Sequence, residues 1–117
     1  MQSFDTNDPR ALQVETVIRK VTVCRVDELP SGSCRTVDLS DNRELALYNV
    51  NGEFYATDNF CPHKGAPLAA GRLCDHVIEC DWHGWEFDVR TGECLTVPER
   101  LETYTVVVEN GVIKVCL

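Results

Sequence analysis

Two compact Cys/His pairs constrain this chain more than any other feature: Cys61-Pro62-His63 and Cys80-Asp81-Trp82-His83, with sixteen residues between His63 and Cys80. Thiolate and imidazole are the ligands of iron–sulfur centres, zinc and some copper sites. Each pair is followed by a glycine, Gly65 or Gly84, which lets a backbone bend tightly around something bulky. The seven cysteines stand at 24, 34, 61, 74, 80, 94 and 116, so neither C-x₂-C nor C-x₄-C occurs, and four-thiolate iron–sulfur spacings are excluded. Zinc fingers pair C-x₂₋₄-C with H-x₃₋₅-H, whereas each pair here mixes the two types, which speaks against zinc.

The scaffold around these pairs reads as β. Apolar, β-branched stretches predict strands over Val17–Val26, Arg35–Leu39 and Glu44–Val50, with Asp41-Asn42 turning between the last two. Asn51-Gly52 is a hairpin signal leading into Glu53–Thr57, and Asn110-Gly111 joins Thr103–Val108 to Val112–Val115. Residues 58–98 differ: they hold three of the five prolines, four of the seven glycines, all three histidines and both tryptophans. They form a loop-rich insert on a β scaffold, in which His76–Cys80 and Glu86–Val89 are candidate short strands. No helical period is sustained. The expectation is one all-β domain over 1–117, with a disordered tail at 1–13.

Charge and cysteine count narrow the partners. Eleven Lys and Arg against nineteen Asp and Glu leave a formal charge of −8, which repels a phosphate backbone and argues against nucleic acid. A basic patch on another protein is the more natural target. No stretch approaches the 18 or so apolar residues of a membrane span. Met1–Glu15 lacks both the apolar core of a signal peptide and the Arg-rich character of an organelle-targeting segment. An odd cysteine count with no secretion signal suits reduced thiols and a metal site in the cytoplasm.

C-P-H-K-G-A-P-L at 61–68, C-D-W-H-G-W-E-F-D at 80–88 and R-T-G-E-C-L at 90–95 resemble the cluster-binding boxes of Rieske proteins, and the likeness extends more weakly over roughly 20–116. The chain resembles most the soluble ferredoxins of multicomponent aromatic-ring dioxygenases and the small subunit of NAD(P)H-dependent nitrite reductase. The resemblance implies an antiparallel β sandwich or barrel carrying one [2Fe–2S] cluster in an inserted loop-rich subdomain. It also implies that Cys61 and Cys80 bind one iron and His63 and His83 the other. Lys64, Gly65, Trp82, Gly84, Trp85 and Pro98 then surround the cluster. Oxidised, such a cluster with its two thiolates is neutral, and neutral imidazoles ease the arrival of an electron relative to four thiolates.

Departures from other Rieske proteins sharpen the expectation. Respiratory members carry a disulfide beneath the cluster, at positions that here are Ala66 and Trp82, and hydroxyls where Trp85 and Phe87 stand. Fewer donors to the cluster imply a potential at the low end of the Rieske range, roughly −150 mV. A mononuclear iron site of two histidines and a carboxylate cannot be assembled, because only His76 remains beyond the two boxes. No G-x-G occurs for a dinucleotide. His76 reads as an ordinary exposed side chain, and the cysteines outside the boxes as small hydrophobes or incidental thiols.

Three roles follow. The chain is an electron carrier from a flavin-containing reductase to a terminal oxygenase, a subunit of a nitrite reductase or related reductase, or a redox-sensing binding module. Residues 58–94 carry seven acidic side chains against three basic ones, so the expected partners have basic docking surfaces.

Overall fold

The computed structural model describes residues 19–39, 42–61, 65–81 and 84–117. The N-terminal tail expected at 1–13, the turn residue Asp41, and the box residues Pro62, His63, Lys64, Trp82 and His83 lie outside them.

Three antiparallel sheets form the fold, and no α-helix occurs among the described residues. The middle sheet is built from β2 (Cys34–Asp38), β3 (Glu44–Val50), β4 (Glu53–Asp58) and β8 (Thr103–Tyr104), in the order β2-β3-β4-β8. A second sheet pairs β9 (Val106–Glu109) with β10 (Val112–Cys116), and β10 with β1 (Lys20–Arg25). The third is a small meander of β5 (Arg72–Cys74), β6 (Val77–Glu79) and β7 (Glu86–Asp88).

Strand β3 organises the whole. Its residues Leu45–Val50 are all buried, and successive side chains of a strand point to opposite faces. Leu45 and Leu47 enter one core with Cys24, Leu29, Val37, Ala56, Ile113 and Val115. Ala46, Tyr48 and Val50 enter another, with Cys61, Ala66, Leu68, Ile78, Cys80, Phe87, Val89 and Leu101. The middle sheet therefore has a core on each face, which explains a near-continuous apolar run in place of strict alternation. Tyr48 is wholly buried, and its hydroxyl lies 2.9 Å from the Thr57 hydroxyl, so the polar atom on this face is partnered.

Both Asn-Gly hairpins form, with Val50 opposite Glu53 and Glu109 opposite Val112, and with positive φ (53°) at Asn51 and at Asn110. The stretch read as one strand over Thr103–Val108 divides instead at Thr105. Thr103 and Tyr104 pair with β4, while Val106–Glu109 pairs with β10, so the chain passes from one sheet to the next. The short strand Arg72–Cys74 carried no alternation long enough to be read.

Candidate metal centre

The chain leaves the middle sheet after Asp58 at the end of β4 and rejoins it at Thr103, where β8 pairs with β4. Between these points lie both Cys/His pairs, each on its own arm.

In the first arm, Phe60 bridges Pro67, the Cys61 amide donates to the Ala66 carbonyl at 2.8 Å, and the Gly65 amide donates to the Cys61 carbonyl at 2.7 Å. In the second, Glu79 of β6 pairs with Glu86 of β7. The Cys80 amide donates to the Trp85 carbonyl at 2.7 Å, and the Gly84 amide to the Cys80 carbonyl at 3.0 Å. The two arms thus share one backbone pattern, cysteine to the fifth residue on and glycine back to the cysteine. Gly65 and Gly84 each stand four residues past the cysteine, with φ of 72° and 74°, a conformation that costs any residue with a Cβ. A Cβ at Gly65 would meet nothing within 4 Å, so it is backbone conformation, and not crowding, that calls for glycine there. In sequence the visible signal was the glycine after each histidine; the common Cys-to-Gly spacing underlies it.

Cys61 and Cys80 are each 1% exposed and belong to the same core cluster. Half-buried Trp85 packs against that cluster, its ring 6.5 Å from Phe87. Among the described residues no group of three or more His, Cys, Asp and Glu is gathered as for a metal ion, and the expected partners His63 and His83 lie outside them.

Asn59 was not singled out in sequence, having no signal beyond its place two residues before Cys61. It is fully buried beneath the first arm. Its amide Nδ2 donates to Glu44 Oε1 at 3.0 Å, with Thr36 Oγ1 at 3.5 Å, and its Oδ1 accepts from the Ala69 amide at 2.9 Å. Its backbone N–H donates to the Glu44 carbonyl, and its carbonyl accepts from the Leu68 amide.

Pro98 is exposed, in a loop hung on β7: Phe87 bridges Cys94, and the Leu95 amide donates to the Glu86 carbonyl at 2.8 Å. It lines a shallow pocket with Glu93, Cys94, Leu95, Glu99 and Arg100, of which Cys94 packs on the core that holds Cys61 and Cys80. His76, expected to be exposed, is half-buried, edge-on to Tyr55 at 5.6 Å. It therefore packs against β4, and it stands in the turn between β5 and β6.

Around the arms the charge is acidic. Arg72 pairs with Glu79 at 3.6 Å, and Arg90 forks onto the Asp88 carboxylate at 2.9 and 3.0 Å, holding that carboxyl below its ordinary value. Asp75, Asp81, Glu86 and Glu93 are exposed. Burial pushes the Cys34 thiol up to about 11, so it is held as a neutral thiol against the same core.

Two like-built loops on a β scaffold, each delivering a buried cysteine to one core, define a cluster-binding electron-transfer fold. The chain belongs to the Rieske [2Fe-2S] domain family, which residues 19–107 match. It carries one [2Fe–2S] cluster, and the two buried cysteines, one on each arm, fit a cluster that needs two thiolates.

It is 41% identical over 98 residues to the ferredoxin component of the p-cumate 2,3-dioxygenase system of Pseudomonas putida, covering 81% of this chain and 83% of that one. It is similar to a chain in the complex of reduced oxygenase and oxidised ferredoxin of carbazole 1,9a-dioxygenase. That likeness has a TM-score of 0.79 and 36% identity, covering 82% of this chain and 91% of that one. A Mycobacterium tuberculosis structure assigned as an NADH-dependent nitrite reductase small subunit matches with a TM-score of 0.81 at 25% identity, covering 87% of this chain and 97% of that one. The protein is accordingly a Rieske electron carrier.

Proposed function

We propose that this ferredoxin holds its cluster through Cys61 and Cys80 on one iron and His63 and His83 on the other, and passes single electrons from a flavin-containing reductase to a terminal oxygenase. The observation that carries the ligand assignment is the matched construction of the two arms. His63 falls two residues after Cys61 and His83 three after Cys80, so each histidine lies inside the span that the cysteine-to-glycine hydrogen bond closes. One loop thus offers one thiolate and one imidazole, and residues 58–98 act as the cluster-binding part of a single Rieske domain.

When bound, the cluster supplies a one-electron centre whose charge falls by one on reduction. The chain's own residues do the rest. The core around Cys61 and Cys80 excludes water from the sulfur side, and Trp85 packs over it. Gly65 and Gly84 shape the two arms, and exposed Asp81, Glu86 and Glu93 make their surroundings negative. An acidic rim steers a basic partner into brief contact without tight binding. We place the protein in the cytoplasm, because an odd number of cysteines that includes two Cys/His pairs suits a reducing compartment. No helix among the described residues is long and apolar enough to cross a membrane.

The oxygenase role is favoured over a reductase subunit by identity: 41% to the dioxygenase ferredoxin component against 25% to the nitrite reductase small subunit. A carrier purifies alone, whereas a subunit co-purifies with a large partner.

Metal analysis of the purified protein should return about two iron and two acid-labile sulfide per chain, as one such cluster contains. Cys61→Ser, Cys80→Ser, His63→Ala and His83→Ala should each abolish the native cluster spectrum, while His76→Ala should not. Retention of that spectrum in any of the four would remove the residue from the ligand set. For the partner, stopped-flow reduction by the cognate flavoprotein should slow as salt rises and screening shortens to about 8 Å at physiological ionic strength. Asp81→Asn with Glu79→Gln should slow association at low salt. A rate flat with salt would mean that this acidic face does not steer docking.

A further inference from the structure

Among the described residues Asn59 is the one buried polar residue on the arms; the other two buried polar residues, Asn49 and Thr57, lie on β3 and β4. A buried primary amide presents two donors and an acceptor, and leaving them without partners is unfavourable, so a chain keeps such a group only where its partners are arranged for it. Here every polar group of Asn59 is engaged. On one side it is bound to β3: its N–H reaches the Glu44 carbonyl at 3.1 Å and its Nδ2 the Glu44 carboxylate at 3.0 Å. On the other it receives the amides of Leu68, at its carbonyl, and of Ala69, at its Oδ1.

Asn59 therefore joins the middle sheet to the outgoing limb of the first arm, and the ladder continues through Phe60–Pro67 to the Cys61 amide on Ala66. The backbone of the second arm is placed by pairing of β5, β6 and β7 and by the apolar contacts of Ile78 and Phe87.

We propose that Asn59, oriented by Glu44, is a positioning residue for the cluster: it sets where the first arm presents Cys61, and so the geometry and retention of the iron that Cys61 holds. The proposal rests on Cys61 being a ligand. Asn59 acts through the ladder that runs from Leu68 and Ala69 to the Cys61 amide. The polarity of the pair is specific. Glu44 accepts and the amide donates, so Asn59→Asp keeps shape and the acceptor for Ala69 but sets two carboxylates against each other. Adding Glu44→Gln restores one donor and one acceptor with the roles exchanged.

The test compares wild type, Asn59→Asp, Glu44→Gln and the double variant Asn59→Asp/Glu44→Gln, all loaded with cluster. The readouts are the EPR spectrum of the reduced protein, the midpoint potential and the rate of cluster loss to an iron chelator. Asn59→Asp should lose its cluster about tenfold faster or more, as an unmatched buried polar pair implies, with a shifted or broadened EPR spectrum. Glu44→Gln alone still accepts from Asn59 and should stay close to wild type, and the double variant should return most of the way.

A spectrum, potential and loss rate in Asn59→Asp that superimpose on wild type would overturn the proposal. So would a double variant no better than Asn59→Asp. Should Asn59→Asp fail to fold, the double variant and Glu44→Ala, which deprives Nδ2 of its nearer acceptor, carry the same readouts. Wild-type behaviour of Glu44→Ala would then also refute it. If the wild-type spectrum instead survives Cys61→Ser, it is the ligand assignment that fails, an outcome distinct from these.

Discussion

Cys61 and Cys80 end in the same backbone turn but are brought there by different means. The first arm is a loop sewn to the middle sheet by one buried asparagine and a one-turn 3₁₀ helix at Leu68–Ala70. The second is the connection between two strands of a small sheet, placed by backbone pairing and by apolar contacts of Ile78 and Phe87. A side-chain anchor is specific but local: it depends on a few polar atoms, and one substitution can undo it. A sheet anchor is distributed, and what it needs from the sequence is apolar side chains facing the core. The contrast shows that one turn geometry can be held by either kind of interaction, provided that the glycine four residues beyond the cysteine is kept.

The strongest way to break this comparison is to remove the apolar hold on each arm. Phe87 and Leu68 are both fully buried, one in β7 and the other in the 3₁₀ turn. Phe87→Ala should destabilise the loaded protein by about 3–5 kcal/mol, and Leu68→Ala by about 2–5 kcal/mol. Urea unfolding followed by cluster colour and by fluorescence measures both. A loss under about 1 kcal/mol for Phe87→Ala, well below that range, would show that strand pairing alone holds the second arm.

A smaller and more symmetric effect comes from the glycines. Gly65→Ala and Gly84→Ala should each cost about 1–2 kcal/mol, the penalty of a Cβ in left-handed backbone. The two should be alike, since a Cβ at Gly65 meets nothing within 4 Å and one at Gly84 meets only Glu79 Oε2 at an ordinary 3.5 Å. Clearly unequal losses in the same unfolding measurement would mean that the two turns are not equivalent.

The smallest effect concerns the charge network behind the second arm. The Arg90 fork, chiefly through its hydrogen bonds to the side chain, lowers the Asp88 carboxyl below its ordinary value against an opposing effect of burial. A carboxyl depressed on folding stabilises the fold above its unfolded value and loses that stabilisation as pH falls through the folded one. Asp88→Asn should therefore be less stable than wild type at neutral pH, by at most about 1 kcal/mol for a partly exposed pair. The gap should close as pH falls below about 4. Thermal unfolding across pH 3–7 reads it, and a gap constant with pH would exclude the ion pair as its cause.

The two Cys/His pairs, their spacing and the two hairpins were determined by the sequence alone, because each is a local matter. A Cys-x-His or an Asn-Gly carries its chemistry within two to four residues, and turn geometry follows from the φ those residues tolerate. The all-β class was equally legible from the β-branched runs. Tertiary structure decided three things. Leu45–Val50 lies between two cores because sheets cover both of its faces, a fact about neighbours up to 70 residues away, such as Val115. The turn from Tyr104 to Val106 changes sheets because β4 and β10 compete for adjacent residues. And Asn59, an unremarked polar residue in sequence, became the anchor of an arm because Glu44, fifteen positions earlier, and Ala69, ten positions later, met it in the interior. Burial makes its amide matter: the same hydrogen bonds at the surface would compete with water, whereas inside the protein their loss goes uncompensated.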